Sequence, residues 1–270
     1  MTKLLQISDM HFGTEQPDVM AALQALTRET KPDVLIVSGD ITQRATTDQF
    51  SRARVFCDSL GVAQIATLPG NHDIPLYNLF ARLTRPYAAY QQAFGRALET
   101  ELVTPALCLV TVNTTRWWRH KNGQVSTAQI DRVCQHLSRA TPQQLRVVVV
   151  HQPVHVLRPQ DEHDRLRGWQ PAVRAWAAAG ADIVMGGHIH LPYVCELSPS
   201  VSGLSRRMWC VQAGTAVSSR IRREAPNSVN LLEFSTDANG LRCWVERWDY
   251  QKAGGRFDLA HTSELNPQRD

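Results

Sequence analysis

Residues 181–190 read ADIVMGGHIH. A short apolar run predicts a buried strand. Two glycines then free the backbone, and His188 and His190 follow two residues apart. In an extended chain, positions i and i+2 point the same way, so both imidazoles are expected to face one spot. The same arrangement, an apolar strand ending in polar donors, occurs four more times. KLLQIS (3–8) leads to Asp9 and His11, and DVLIVS (33–38) leads to Gly39-Asp40. AQIATL (63–68) leads through Pro69-Gly70 to Asn71-His72-Asp73, and RVVVV (146–150) leads to His151.

Helical periods separate these strands. They cover 18–29, 47–60 and 127–139, the last with Ile130, Val133, Cys134 and Leu137 on one face. A further helix is expected over 171–179, with Pro171 at its first position and Gly180 at its end. Residues 75–95 read as partly helical, with Leu76, Leu79, Phe80 and Leu83 expected in the core. ALCLVTVN (106–113) is another strand. The β-α-β rhythm implies a parallel sheet with crossover helices. After His190 the helical periods stop. MWCVQA (208–213), VNLLEFS (229–235) and LRCWVERW (241–248), divided by turn signals such as DANG (237–240), are expected to form most of a second sheet packed on the first. The reading is an α/β chain with a single domain over 1–250 and a loosely ordered polar tail over 251–270.

Composition narrows the class. The 270 residues carry a net charge of +4 and 20% charged side chains, and the longest basic cluster is Arg220, Arg222 and Arg223. That gives no dedicated nucleic-acid-binding region. The N-terminus lacks the apolar stretch and cleavage site of a signal peptide. No apolar run approaches the ~18 residues of a membrane span. Six scattered cysteines without a CxxC pair read as reduced thiols, and a cytoplasmic location is expected.

Ligands in open α/β sheets bind beyond the carboxyl ends of strands, so the five loops are expected to converge. Carboxylate, imidazole and amide oxygen, without thiolate, suit Mn, Fe, Zn or similar ions. The candidate donors are Asp9, His11, Asp40, Asn71, His151, His188 and His190, seven in all. Two four-coordinate sites that share one bridging group need that many. The spacing differs from the helical i, i+4 pair of HExxH zinc proteases.

The ordered motifs DxH, GD, GNHD, H and GGHxH, running from Asp9 to His190, resemble the calcineurin-like metallophosphoesterase superfamily. SDMHFG, GNHD and GGHIH are most similar to bacterial class III cyclic-nucleotide phosphodiesterases. The resemblance implies a four-layer α/β/β/α sandwich of two mixed sheets flanked by helices. It implies two divalent ions per chain, Mn or Fe first, with Zn, Ni or Co as alternatives. One would be held by Asp9, His11, Asp40 and His190, the other by Asp40, Asn71, His151 and His188, with Asp40 bridging. Asn71, His72 and His188 would touch the substrate. Two such ions clamp phosphate oxygens and acidify a bridging water. The expected reaction is in-line attack by that hydroxide on a small phosphodiester, with a 3′,5′-cyclic nucleotide as the first candidate and His72 protonating the leaving oxygen.

One departure stands out. Phosphoprotein phosphatases of the superfamily carry GDxxD, whose second Asp orients the GNH histidine. Here Gln43 occupies that place, and Asp73 is the alternative partner. Glycerophosphodiesters, a UDP-linked acylated glucosamine and nucleic-acid ends are the competing substrates. A non-catalytic scaffold on the same fold is expected to lack several donors, and none is missing here. Trp117 and Trp118 with Arg116 and Arg119 could stack on a base and neutralise phosphate, although packing or a homodimer contact is the commoner use of paired tryptophans. His155 is placed near the crevice, and Asp161-Glu162-His163-Asp164 is read as a solvated loop.

Overall fold

The computed structural model describes residues 1–223, 225–237 and 240–268. In chain order its elements are β1 (Thr2–Ile7), α1 (Pro17–Thr30), β2 (Val34–Val37), α2 (Thr47–Ser59), β3 (Gln64–Thr67), α3 (Leu79–Thr84), α4 (Ala88–Phe94), β4 (Glu101–Val103) and β5 (Leu107–Thr111). Then come α5 (Thr127–Leu137), β6 (Leu145–Val149), α6 (Trp169–Ala178), β7 (Ile183–Gly186), β8 (Tyr193–Glu196), β9 (Trp209–Gln212), β10 (Ser228–Asp237), β11 (Gly240–Gln251) and β12 (Arg256–Leu265). Ala238 and Asn239 of the expected DANG turn lie outside the described residues.

Two six-stranded mixed sheets result. The first runs β12-β11-β10-β1-β2-β3, with β1, β2 and β3 parallel. The second runs β4-β5-β6-β7-β9-β8, with a parallel centre and an antiparallel strand at each edge. Leu4, Val34 and Ile36 face the second sheet and meet Leu109, Val147, Ile183 and Val211. Leu5, Ile7, Leu35 and Val37 face outward under Val19 and Leu23 of α1 and Phe50 and Phe56 of α2. On the far side, Val110, Val148 and Val184 pack under Ile130 and Val133 of α5 and Val173 and Trp176 of α6. The chain is thus a four-layer α/β/β/α sandwich. Both faces of the parallel strands are covered, which is why Val34–Val37 is apolar without alternation.

Four expectations are corrected. The strands after His190 divide between the sheets: β8 and β9 join the second, whereas β10 pairs antiparallel with β1, Leu4 opposite Leu232, and carries β11 and β12 into the first. The tail is ordered well past 250. Strand β12 pairs with β11, and Phe257 and Leu265 turn inward while most other side chains face solvent, the pattern of an edge strand that reads as polar. Helix α6 starts at Trp169, so Pro171 stands at its third residue, still within the first turn where a missing N–H costs little. Leu79, Phe80 and Leu83 are not core but more than 60% exposed. The α3 segment is anchored instead by Arg82, whose guanidinium donates to the carbonyls of Pro75 (3.0 Å) and Arg119 (2.7 Å). Among the described residues, no helix is long and apolar enough to cross a membrane.

Candidate metal centre

The carboxyl ends of β1, β2, β3, β6 and β7 meet at one end of the sandwich, and their loops are sewn together by main-chain bonds. Asp9 N donates to Gly39 O (3.1 Å), His11 N to Asp40 O (3.0 Å) and Gly187 N to His151 O (2.9 Å). Beneath them Gln6 Nε2 bonds Gly186 O (2.9 Å) across the two sheets. Side chains complete the lattice: His188 N donates to Asp9 Oδ2 (2.9 Å) and His72 N to Asp40 Oδ1 (2.8 Å).

Asp9, His11, Asp40, His188 and His190 all have positive φ, between 42° and 75°. Among the described non-glycine residues only Lys31 and Ala45 share this conformation. Such residues cost about 1–3 kcal/mol each and gather where geometry is functional. They also correct the expectation of two histidines facing one spot. The GGHIH segment is a left-handed bend, so its histidines part. His190 joins Asp9 and His11, and His188 joins Asp40 and His151.

In the first group His190 Nε2 lies 3.3 Å from Asp9 Oδ1, and His11 Nε2 lies 3.8 Å from both Asp9 Oδ1 and Asp40 Oδ2. In the second, His151 Nε2 lies 3.3 Å from Asp40 Oδ1, and the His151 and His188 rings are 5.1 Å apart. Asp40 belongs to the second group and to another with His11 and His72, and His11 is what joins it to the first. Asn71 opens the 3-10 turn Asn71–Asp73.

Asp9 Oδ1, Asn71 Oδ1, His151 Nε2 and His188 Nδ1 are buried with no hydrogen bond. Leaving such atoms unpaired costs about 1–3 kcal/mol each, and bound cations would satisfy them together. The outer bonds agree with a metal role. His151 Nδ1 donates to Ser38 O (2.8 Å) and His190 Nδ1 to Arg220 O, which turns each Nε2 lone pair toward the carboxylates.

Charge is balanced within the cluster. Burial alone raises the Asp9 and Asp40 carboxyls, but the His190 imidazole beside Asp9 and the His151 imidazole beside Asp40 outweigh it and hold both well below the usual range. Burial lowers His151, yet Asp40 lifts it to about 9, and Asp9 likewise lifts His190. For His11 burial wins over Asp40 and Asp9 and pushes it down to about 3. Burial also lowers His188.

Asp73 does not orient His72. It accepts from the backbone N–H groups of Ile41, Thr42 and Gly70 and from the Thr42 hydroxyl, at 2.8–3.0 Å, and so locks the β2 loop to the Asn71–Asp73 turn. Burial and nearby Asp40 raise it to about 7. His72 is set by Gln43 instead, its Nδ1 donating to Gln43 O at 3.2 Å.

Sequence reasoning missed two groups. Arg220 Nη1 donates to Gln43 Oε1 (2.8 Å) and lies 3.2 Å from His72 Nε2 and 3.5 Å from His11 Nδ1. Its signal was the basic cluster Arg220, Arg222 and Arg223, weighed only against a nucleic-acid-binding region. Asp164 Oδ1 lies 3.5 Å from His188 Nε2 and 2.6 Å from Lys121 Nζ. The segment 161–164 is therefore not a solvated loop: Asp161 and Asp164 are buried, with Asp161 accepting from Arg222, and only Glu162 and His163 face outward. Trp117, Arg119 and His155 lie outside the donor groups. Trp117 packs edge-on against Trp118, both exposed, Arg119 Nε bonds Gln124 Oε1, and the His155 carbonyl accepts from Tyr193.

Comparison with known proteins agrees with this geometry. The chain matches the Calcineurin-like phosphoesterase family model over residues 2–192 and belongs to that family. No curated protein matches it significantly. Among solved structures it resembles a dimetal phosphatase from Danio rerio (14% identity, 99% of each chain, TM-score 0.67). It also resembles the purple acid phosphatase PPD1 from yellow lupin seeds (12% identity, 97% of this chain and 53% of that one, TM-score 0.68). Vacuolar Protein Sorting 29 from Cryptosporidium parvum is similar as well (13% identity, 98% and 97% covered, TM-score 0.51). At these identities the likeness is one of fold.

Proposed function

We propose that this calcineurin-like phosphoesterase is a binuclear-metal phosphodiesterase acting on a small diester, with a 3′,5′-cyclic nucleotide as the first candidate. The observation that carries the reading is the set of buried atoms without a hydrogen bond, Asp9 Oδ1, Asn71 Oδ1, His151 Nε2 and His188 Nδ1, together with the fully buried carboxylates of Asp9 and Asp40. Asp9, His11, Asp40 and His190 would hold one divalent ion, and Asp40, Asn71, His151 and His188 the other. Two bound ions supply Lewis-acid charge for the phosphate oxygens and acidify water near neutrality.

The chain's own residues do the rest. Arg220 brings a permanent guanidinium charge to the edge of the centre, where negative charge builds on the phosphate oxygens. Gln43 holds both Arg220 and His72 in place, and His72 directs Nε2 toward the same space for proton transfer to the leaving oxygen. Asp164 steadies His188 from behind. A cleft of about 710 Å³ adjoins His72 by way of Arg44 and Leu76. Arg44, Tyr77 and Arg85 line it and no carboxylate does, which suits an anionic ester with a ring to stack. The dimetal phosphatase and purple acid phosphatase neighbours support a phosphoester hydrolase on this fold.

The test is a hydrolysis screen of Mn-loaded and chelated protein on 2′,3′- and 3′,5′-cyclic nucleotides, glycerophosphodiesters, UDP-sugars and single-stranded DNA. Metal-dependent turnover of a cyclic nucleotide above the others is expected. Turnover that survives chelation, or none on any ester after loading, would overturn the reading.

A further inference from the structure

Half of the exposed large apolar side chains among the described residues fall on two short segments. Tyr77, Leu79, Phe80 and Leu83 come from α3 and its approach, and Trp117 and Trp118 come from the loop after β5. The other six are scattered over the chain. The two segments are joined. Arg82 of α3 donates to the Arg119 carbonyl at 2.7 Å, and the Tyr87 hydroxyl bonds Thr115 Oγ1 at 2.8 Å. Isolated surface apolar residues need no account, but their concentration on two segments that are bonded together points to an interaction site.

The charge that these two segments themselves carry has one sign. Between Ile74 and Leu98 stand Arg82, Arg85 and Arg96 and no carboxylate. Between Thr114 and Ile130 stand Arg116, Arg119 and Lys121 and again no carboxylate. Asp164, from another segment, takes Lys121. Arg82, Arg116 and Arg119 are bonded to carbonyl and amide oxygens, which leaves their charge in place. Arg85 is exposed, and Arg44 lies over the Tyr77 ring at 5.1 Å.

We infer that α3 with its approach and the Trp117–Trp118 loop form a docking surface for an anionic lipid bilayer. Tryptophan and tyrosine settle at the membrane–water boundary, leucine and phenylalanine enter the acyl layer, and the exposed Arg44 and Arg85 meet the lipid phosphates. Phe80 and Leu83 stand on a helix whose own anchor, Arg82, is polar, so the packing of the core makes no use of them. Docking in this pose brings the His72 side of the metal centre to the bilayer, because Arg82, His120 and Leu76 line the narrow cleft at His72. The inference needs no turnover and stands apart from the substrate assignment.

The experiment is co-sedimentation of the full chain with vesicles of phosphatidylglycerol and phosphatidylcholine in equal parts, against pure phosphatidylcholine. Binding to the anionic vesicles alone is expected, with release in about 1 M salt, where the Debye length shrinks to about 3 Å. The double variant Phe80→Glu, Leu83→Glu is expected to lower that binding at least about tenfold, since two like-charged groups replace two apolar anchors. Its melting temperature and its hydrolysis of bis(p-nitrophenyl) phosphate should match the parent. No sedimentation with anionic vesicles, or equal sedimentation of parent and variant, would overturn the inference. So would a dimer in sedimentation velocity that the variant dissociates, because the surface would then belong to a second copy.

Discussion

Gly39→Ala puts a methyl group where the fold leaves no room. Gly39 has φ of +96°, which L side chains rarely adopt, and its added Cβ would lie 2.4 Å from His151 Nδ1, 2.8 Å from His151 Cγ and 3.1 Å from Gly70 Cα. Ordinary contact begins at 3.4 Å, so the ring or the loop must move by about 1 Å. The ring cannot retreat freely, because Nδ1 is bonded to Ser38 O at 2.8 Å and Nε2 lies 3.3 Å from Asp40 Oδ1. Left-handed backbone costs about 1–2 kcal/mol and overpacking about 1–3 kcal/mol, together roughly 2–5 kcal/mol. At about 2–4 °C per kcal/mol for a chain of this size, the melting temperature should fall by on the order of 10 °C. Disturbing a ligand's support typically costs 10–100-fold in metal affinity, so the ion held by His151 should weaken by about that much in calorimetric titration with Mn. In a His151→Ala background the methyl no longer strikes the ring, and the same change should cost less, about 1–2 kcal/mol for the backbone plus the small adjustment at Gly70 Cα. Parent-like melting and Mn affinity for Gly39→Ala, or an equal penalty in both backgrounds, would refute the reasoning.

Arg220→Ala removes the guanidinium beside His72 and should lower kcat on soluble diesters by about 10²–10³, the usual loss of one transition-state donor. Metal content by mass spectrometry should be unchanged, and parent-like kcat would exclude Arg220 from the reaction. His72→Ala should lower turnover on alkyl diesters by about 10²–10⁴ with both ions retained, and full turnover would remove it from the mechanism. Asp40 lifts the metal-free His151 to about 9, so at pH 7 that imidazole carries a proton that an incoming cation must displace. Loading should release at least about one proton per chain and weaken as pH falls. Titrations in two buffers of different ionisation enthalpy measure that release, and identical heats in both would contradict it.

Much of this was legible in the sequence because strand ends are local. An apolar run buried on both faces followed by Asp, Asn or His fixes both the strand and where its donors emerge, as Val34–Val37 and Asp40 show. Partners brought together by tertiary folding were not legible. Arg220 reaches His72 across 148 residues and Asp164 reaches His188 from another loop, and a cluster of arginines or of acids in the local sequence does not say which member turns toward the centre. The pairing of β10 with β1 has the same cause, since period-2 alternation gives a strand its faces but not its neighbour. The tail misled because an edge strand buries so few residues that Arg256–Leu265 reads as solvent-facing chain. Leu79, Phe80 and Leu83 misled in the opposite direction, their apolar pattern marking an outer surface.

Anomalous diffraction from crystals of Mn-loaded protein tests the central claim most directly. The account predicts two peaks, one among Asp9, His11, Asp40 and His190 and one among Asp40, Asn71, His151 and His188, with Asp40 touching both. A single peak, a peak away from Asp40, or no peak after loading would contradict it.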